Sequence, residues 1–228
     1  MSIAEKLTKL AENEQKVYDA GKEKRTREFW ERVTGYGQRR NFSRFLRNTD
    51  MTGETLPEDL FTIENAGAMF YNYYGTALPE GVDLANIITT NTGNDSAISN
   101  FVGYSPNLEE VYDINIPGEI VDYFCTFQQC TSLRKIEKIR SSKNTSFTST
   151  FGGAINLEEI TFEGVIGKNI NVSACSKLNK ATLLNIIDCL YDYSGSTATY
   201  TCTLGAENLA KLSDEEKAAA TTKGWTLA

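Results

Sequence analysis

Histidine is absent from all 228 residues of this chain. Imidazole general bases, Ser-His-Asp and Cys-His nucleophile systems and histidine-bound metals are therefore excluded from it. Proline is scarce, at four, and cysteine stands at an odd five with no C-x-x-C spacing for zinc. Cys125, Cys130, Cys175, Cys189 and Cys202 thus read as core residues. No stretch approaches the roughly 20 apolar residues that cross a bilayer, and Met1-Ser-Ile-Ala-Glu-Lys-Leu-Thr-Lys-Leu lacks the unbroken apolar core of a secretory signal. The expectation is a chain made in the cytoplasm without a leader and without membrane insertion. Positive charge is missing from one long stretch, since residues 48–133 hold no Lys or Arg and 13 Asp or Glu. Such a strip disfavours nucleic acid as a partner for the middle of the chain.

Cofactor signatures are missing as well. Gly152-Gly153 has no following Lys-Ser/Thr and opens no helix, and Asn91, Asn94 and Asp95 lack the glycine and glutamate of a calcium loop. No cofactor, metal or catalytic residue is expected. Glu109/Glu110 and Glu158/Glu159 are dense acids, but Arg134 and Lys135 fall between them, which keeps carboxylates ionised instead of proton-donating.

What the chain does have is a recurring phrase: an apolar anchor, a tight polar turn, then Leu-x-x-(Val/Ile). It runs from Phe101 to Leu108 and Val111, from Phe127 to Leu133 and Ile136, and from Phe151 to Leu157 and Ile160. A worn copy lies at Val172, Cys175 and Leu178, and the leucines are 25, 24 and 21 residues apart. A period within the roughly 20–29 residues of leucine-rich repeats is explained if each unit buries its apolar side against its neighbours. Stacking would align Glu109-Glu110, Arg134-Lys135 and Glu158-Glu159 in acid-base-acid columns that set register. Exposed pairs contribute only about 0–1 kcal/mol each, so the apolar columns must carry stability. Cys130 and Cys175 occupy matching positions in the phrase. Over residues 48–100 an irregular first unit would use Phe70 as anchor and Leu78 as its leucine.

The ends read differently. Ser2 and Glu5 form a capping box for a helix with Ile3, Leu7, Leu10 and Val17 on one stripe; Gly21 ends or kinks it, and Glu23 to Val33 resumes the pattern. So narrow a stripe either self-associates, giving a homo-oligomer, or docks on the chain's own body. Residues 22–47 form the only basic cluster, with Phe29, Trp30, Tyr36, Phe42 and Phe45 interleaved. That composition could grip single-stranded nucleic acid, or could be an amphipathic segment facing the acidic middle. At the other end Thr182 to Tyr193 reads as a helix with Leu183, Leu184, Ile187 and Leu190 on one face, Ala198 to Leu204 as a strand, and Ser213 with Glu216 as the capping box of a helix through about Ala220. An open stack end exposes apolar core and unpaired strand groups, and this tail would cover it.

Phe127-Gln-Gln-Cys130-Thr-Ser-Leu133-Arg-Lys-Ile136 resembles the repeat unit of BspA-like leucine-rich repeat proteins. The segments Leu183 to Gly195, Tyr200 to Gly205, Leu209 to Ala218 and Lys223 to Leu227 are similar to the closing part of such proteins in phages and prophages of Gram-positive gut bacteria, and Ala11 to Gly21 resembles their opening part. Residues 22–62 match least well. The resemblance implies an α/β repeat fold: a short leucine-rich-repeat-like solenoid over 48–178, an N-terminal helix within 1–47 and an α/β cap over 179–228. It implies no reaction. The expected function is non-enzymatic binding or structure in a phage or prophage particle, with a repeat face meeting a protein or a surface glycan. A bacterial cell-surface adhesin of the same fold is the alternative, and a single-stranded nucleic-acid-associated phage protein the third reading. Many BspA-like proteins are secreted, so the missing signal departs from that pattern and fits a virion component released by lysis.

Side chains flanking the inward Val/Ile should point outward from the strands. This singles out Glu110 and Tyr112, Lys135 and Glu137, Glu159 and Thr161 as one candidate binding face. A tyrosine cluster at Tyr71, Tyr73 and Tyr74, or the basic segment, is where the site would otherwise lie.

Overall fold

A backbone N–H can be satisfied inside its own turn or by a neighbouring segment, and this chain alternates the two residue by residue. In the computed structural model, which describes residues 44–56, 65–93 and 96–228, Met69 N donates to Ala66 O and Tyr71 N to Ala68 O within one turn. The N–H groups of Ala68, Phe70 and Asn72, at alternating positions, donate onward to Ser99 O, Phe101 O and Gly103 O at 2.7–2.9 Å. The same ladder joins residues 44–48 to 67–71, residues 100–104 to 124–128, and residues 125–129 to 148–152. The segments therefore stack in parallel as rungs. The helices expected within residues 1–33, the basic residues before Arg44, and Asn94 and Asp95 lie outside the described residues.

This geometry needs two left-handed residues per rung, four positions apart. They are Arg44 and Asn48, Ala68 and Asn72, Asn100 and Tyr104, Cys125 and Gln129, Ser149 and Gly153, all with φ between 53° and 80°. Only one is glycine, so the others carry a strain of roughly 1–2 kcal/mol each that the onward hydrogen bonds offset. Midway between each pair sits the buried anchor: Leu46, Phe70, Val102, Phe127 and Phe151. The anchor expected at Phe101 is thus displaced by one residue. Phe101 is also fully buried and meets Phe70 edge-on at 5.4 Å, so apolarity alone could not choose between it and Val102. Three residues past the anchor a small side chain reaches back to the preceding rung: Ser105 Oγ donates to Phe70 O, Cys130 Sγ to Val102 O and Cys175 Sγ to Phe151 O.

The second half of each phrase forms a parallel sheet. Strand β1 is Glu110–Val111, β2 is Lys135–Ser141 and β3 is Glu159–Gly164, in the order β1-β2-β3. Glu110 pairs with Lys135 and Lys135 with Glu159, so Val111, Ile136 and Ile160 form one inward column. Leu108, Leu133, Leu157 and Leu178 are fully buried behind it. One rung earlier the pattern changes. The bridge from Ala77 to Glu110 places Leu78 in the Val/Ile column, not in the leucine column where it was expected. Counting back, Gly75 stands in the leucine position. A Cβ there would lie 2.5 Å from the Tyr73 ring, so glycine leaves the space that this buried phenol fills. Tyr73 Oη donates to Ala77 O at 2.8 Å and accepts Met51 N at 2.9 Å.

The tail covers the far end. Helix α1, Lys180–Cys189, starts at Asn179, whose side chain accepts Thr182 N. Its start is earlier than expected and its end is too, because Leu190 turns extended to bridge Ile166. Leu183, Ile187 and Leu190 are buried on the expected face, but Leu184 is only half-buried and Ile186 is buried in its stead. Thr182 Oγ1 accepts Ile160 N, and the Asn185 amide accepts Phe162 N and donates to Phe162 O. These side chains complete the edge strand β3 as another strand would. A second parallel sheet follows: β4 (Ile170–Asn171), β5 (Tyr200–Thr203) and β6 (Trp225–Leu227), in that order. Strand β6 was not foreseen. Short helix α2 is Ala206–Leu209, and α3, Asp214–Thr222, carries the expected Ser213/Glu216 capping box with both bonds made.

Candidate binding faces

Parallel pairing places Glu110, Lys135 and Glu159 side by side across β1, β2 and β3, and all three are exposed. Glu137 and Thr161 are exposed beside them. Tyr112 is different. Its ring is half-buried, and its hydroxyl donates to Pro79 O at 2.6 Å and accepts Val82 N at 3.2 Å. Burial raises its phenol above the ordinary range, against the opposing hydrogen bond from Val82. Tyr112 therefore ties the preceding rung to the sheet, and five of the six expected residues make up the open face.

The acid-base-acid columns have the expected register, but among the described residues no ion pair within 4.0 Å joins Glu109, Glu110, Arg134, Lys135, Glu158 or Glu159. The pairs form higher on the same sheet. Strand β2 has an irregularity between Ile136 and Ile139 that leaves Glu137 and Lys138 together outside two buried isoleucines. Beyond it Arg140 Nη1 and Nη2 grip Asp113 Oδ1 and Oδ2 at 2.7 and 2.6 Å, a bidentate fork. Lys138 Nζ lies 3.5 Å from Asp113 and 3.1 Å from Glu163, and Arg140 Nε 3.6 Å from Glu163. The Arg140 bonds hold the Asp113 carboxyl below the usual carboxylate range. Glu137 Oε2 accepts Asp113 N at 3.1 Å, so this side chain is partly committed to the sheet.

Beside the strands, Glu109, Ser132, Arg134 and Asn156 line an open polar cavity of about 200 Å³. Its floor is fixed, since Asn156 donates to Thr131 O and accepts Lys177 Nζ at 2.7 Å. Elsewhere the cysteines are all free thiols, and burial pushes Cys130, Cys175 and Cys202 up to about 12. Such thiols pack and do not attack.

A second face lies on the turns instead of the strands. Tyr73 is buried, whereas Tyr74 and Tyr104 are 48 and 41 % exposed. Tyr71 lies against Tyr104 with centroids 5.3 Å apart, and the Arg47 guanidinium sits 4.8 Å above the Tyr71 ring. Asn72 Nδ2 donates to Asn48 Oδ1 and to Tyr74 Oη, and Asn107 Nδ2 to Tyr74 O. Tyr104 escaped the sequence reading because its partner lies 33 residues away; its only local signal is that it occupies, one rung on, the left-handed position of Asn72.

Among the described residues no helix is long and apolar enough to cross a membrane. In comparisons with known proteins, no family model, no curated protein and no solved structure matches the chain.

Proposed function

We propose that the chain is a short leucine-rich-repeat-like solenoid of BspA-like type, acting as a non-enzymatic binding or assembly protein of a phage or prophage particle. The observation that carries this reading is the open sheet face. Glu110, Lys135, Glu137, Glu159 and Thr161 are held in one exposed surface by strands whose register is fixed on both sides of β2. Rigid presentation of varied side chains on parallel rungs is what a binding surface needs, because little ordering entropy remains to be lost on association. Chemistry points the same way: the chain has no histidine, and the most engaged carboxylate on the face, Asp113, is held ionised and so is unsuited to proton donation. The partner of this face is a protein or a surface glycan.

Mass spectrometry of purified particles from an induced lysogen tests the setting, and detecting the chain at stoichiometric abundance is the expected result. Binding of Lys135→Glu and Glu159→Lys variants to host-surface preparations tests the face. Undiminished binding by both, with unchanged melting, refutes it.

A further inference from the structure

The geometry points to the turn face around Tyr71, Tyr74 and Tyr104 as a docking shelf for an uncharged polysaccharide strand. It rests on the binding role proposed above but not on the sheet face. Large aromatic side chains gain most by burial, yet here two tyrosines stay nearly half exposed. They are held, not loose. Tyr74 N donates to Thr49 O at 2.9 Å, its carbonyl accepts Asn107 Nδ2 and its hydroxyl accepts Asn72 Nδ2; Tyr104 N donates to Gln128 O at 2.7 Å and its ring is braced by Tyr71. Ring faces fixed in advance lose little entropy on binding and give large contact area.

The surrounding groups select the ligand. Among the described residues, the hydrogen bonds made by Asn48, Asn72, Asn107 and Tyr74 leave the Asn48 amide donors, the Asn72 and Asn107 Oδ1 acceptors and the Tyr74 hydroxyl proton unused. Neutral donors and acceptors beside aromatic slabs match the alternating hydroxyls and C–H faces of pyranose rings. Charge argues against anionic polymers: residues 48–133 contain no Lys or Arg, and Arg47 is already placed over Tyr71. The left-handed position that carries Asn48, Asn72 and Tyr104 recurs from rung to rung, so a linear polymer can follow it across these turns.

Titrations of the full chain with uncharged hexasaccharides of β-1,4-linked glucose, N-acetylglucosamine and mannose, and of α-linked glucose and rhamnose, test this, with a hexagalacturonate as the charged counterpart. At least one neutral probe should bind with a Kd of about 1 mM or tighter. Tyr74→Ala and Tyr104→Ala should each weaken it about tenfold, while Tyr74→Phe, which keeps the ring, should retain most of the affinity. Unchanged circular dichroism and melting establish that the variants fold. Binding of none of the neutral probes, preference for the galacturonate, or parent-like affinity in both alanine variants overturns the shelf. Loss of neutral-probe binding in Lys135→Glu with retention in both tyrosine variants moves the glycan to the sheet face, leaving the binding role intact and refuting the shelf.

Discussion

Replacing Asn185 by leucine removes the closure of the first sheet while keeping side-chain volume. Phe162, on the edge strand β3, is 2 % exposed, and Asn185 accepts its N–H at 2.7 Å and donates to its carbonyl at 3.1 Å. The two losses are unequal. The N–H keeps no other acceptor among the described residues, so it suffers the whole desolvation penalty of about 1–3 kcal/mol. The carbonyl retains the Cys189 thiol at 3.5 Å, which limits its loss to less than about 1 kcal/mol. The sum, about 1–4 kcal/mol, corresponds to a fall in Tm of about 2–16 °C for a domain of this size. Differential scanning calorimetry measures that fall, and hydrogen exchange at the Phe162 amide should accelerate in step. Asn185→Asp is the control with opposite logic. Its carboxylate still accepts the N–H but faces the carbonyl with like charge, so stability should rise as acid protonates it. A leucine variant melting within about 1 °C of the parent, with Phe162 exchange unchanged, would refute the claim that this amide closes the sheet.

Other substitutions separate core from surface. Leu133→Asp should abolish cooperative melting because it places a charge in a fully buried column, whereas Lys135→Ala, at an exposed position, should shift stability by less than about 1 kcal/mol in the same chemical denaturation experiment. Gly75→Ala should lose about 2 kcal/mol or more by denaturation, because its methyl meets the confined Tyr73 ring, and adding Tyr73→Phe should not restore it. Asp113 has a folded-state pKa lowered by Arg140, so its contribution is complete above a pH of about 4 and disappears as pH falls through the folded value. Asp113→Asn should therefore melt below the parent at neutral pH and converge with it in acid; a constant gap across that range would contradict the assignment.

The inward columns were legible because leucine and Val/Ile at fixed spacing leave few alternatives: Leu108, Leu133, Leu157 and Leu178 are all fully buried. The cap was legible at Ser213 and Glu216, where local capping chemistry operates within four residues. What escaped was set by distance. Phe101 and Val102 are adjacent and both buried, and only the onward hydrogen bonds decide which is the anchor. The left-handed positions carry three asparagines and one glycine, which favour that φ, but also Arg, Ala, Tyr, Cys, Gln and Ser, which do not announce it because the neighbouring rung imposes it. Tyr112 looked like a surface aromatic until Pro79 and Val82, 30 or more residues earlier, took its hydroxyl. The Asp113–Arg140 fork spans 27 residues and an irregular strand, which no spacing rule anticipates.

The alternation of backbone donors has a mechanical consequence. Because every second N–H points along the stacking direction to the next rung, a pull applied along that direction loads the bonds of one interface at a time, as in opening a zipper, and not all interfaces in shear. Each detached rung of 24 to 32 residues releases about 80–110 Å of extended chain. Extension would therefore proceed as a series of small yields, the longest from the 32-residue rung between Ala68 and Asn100, each leaving the remaining rungs intact and able to re-engage when the tension drops.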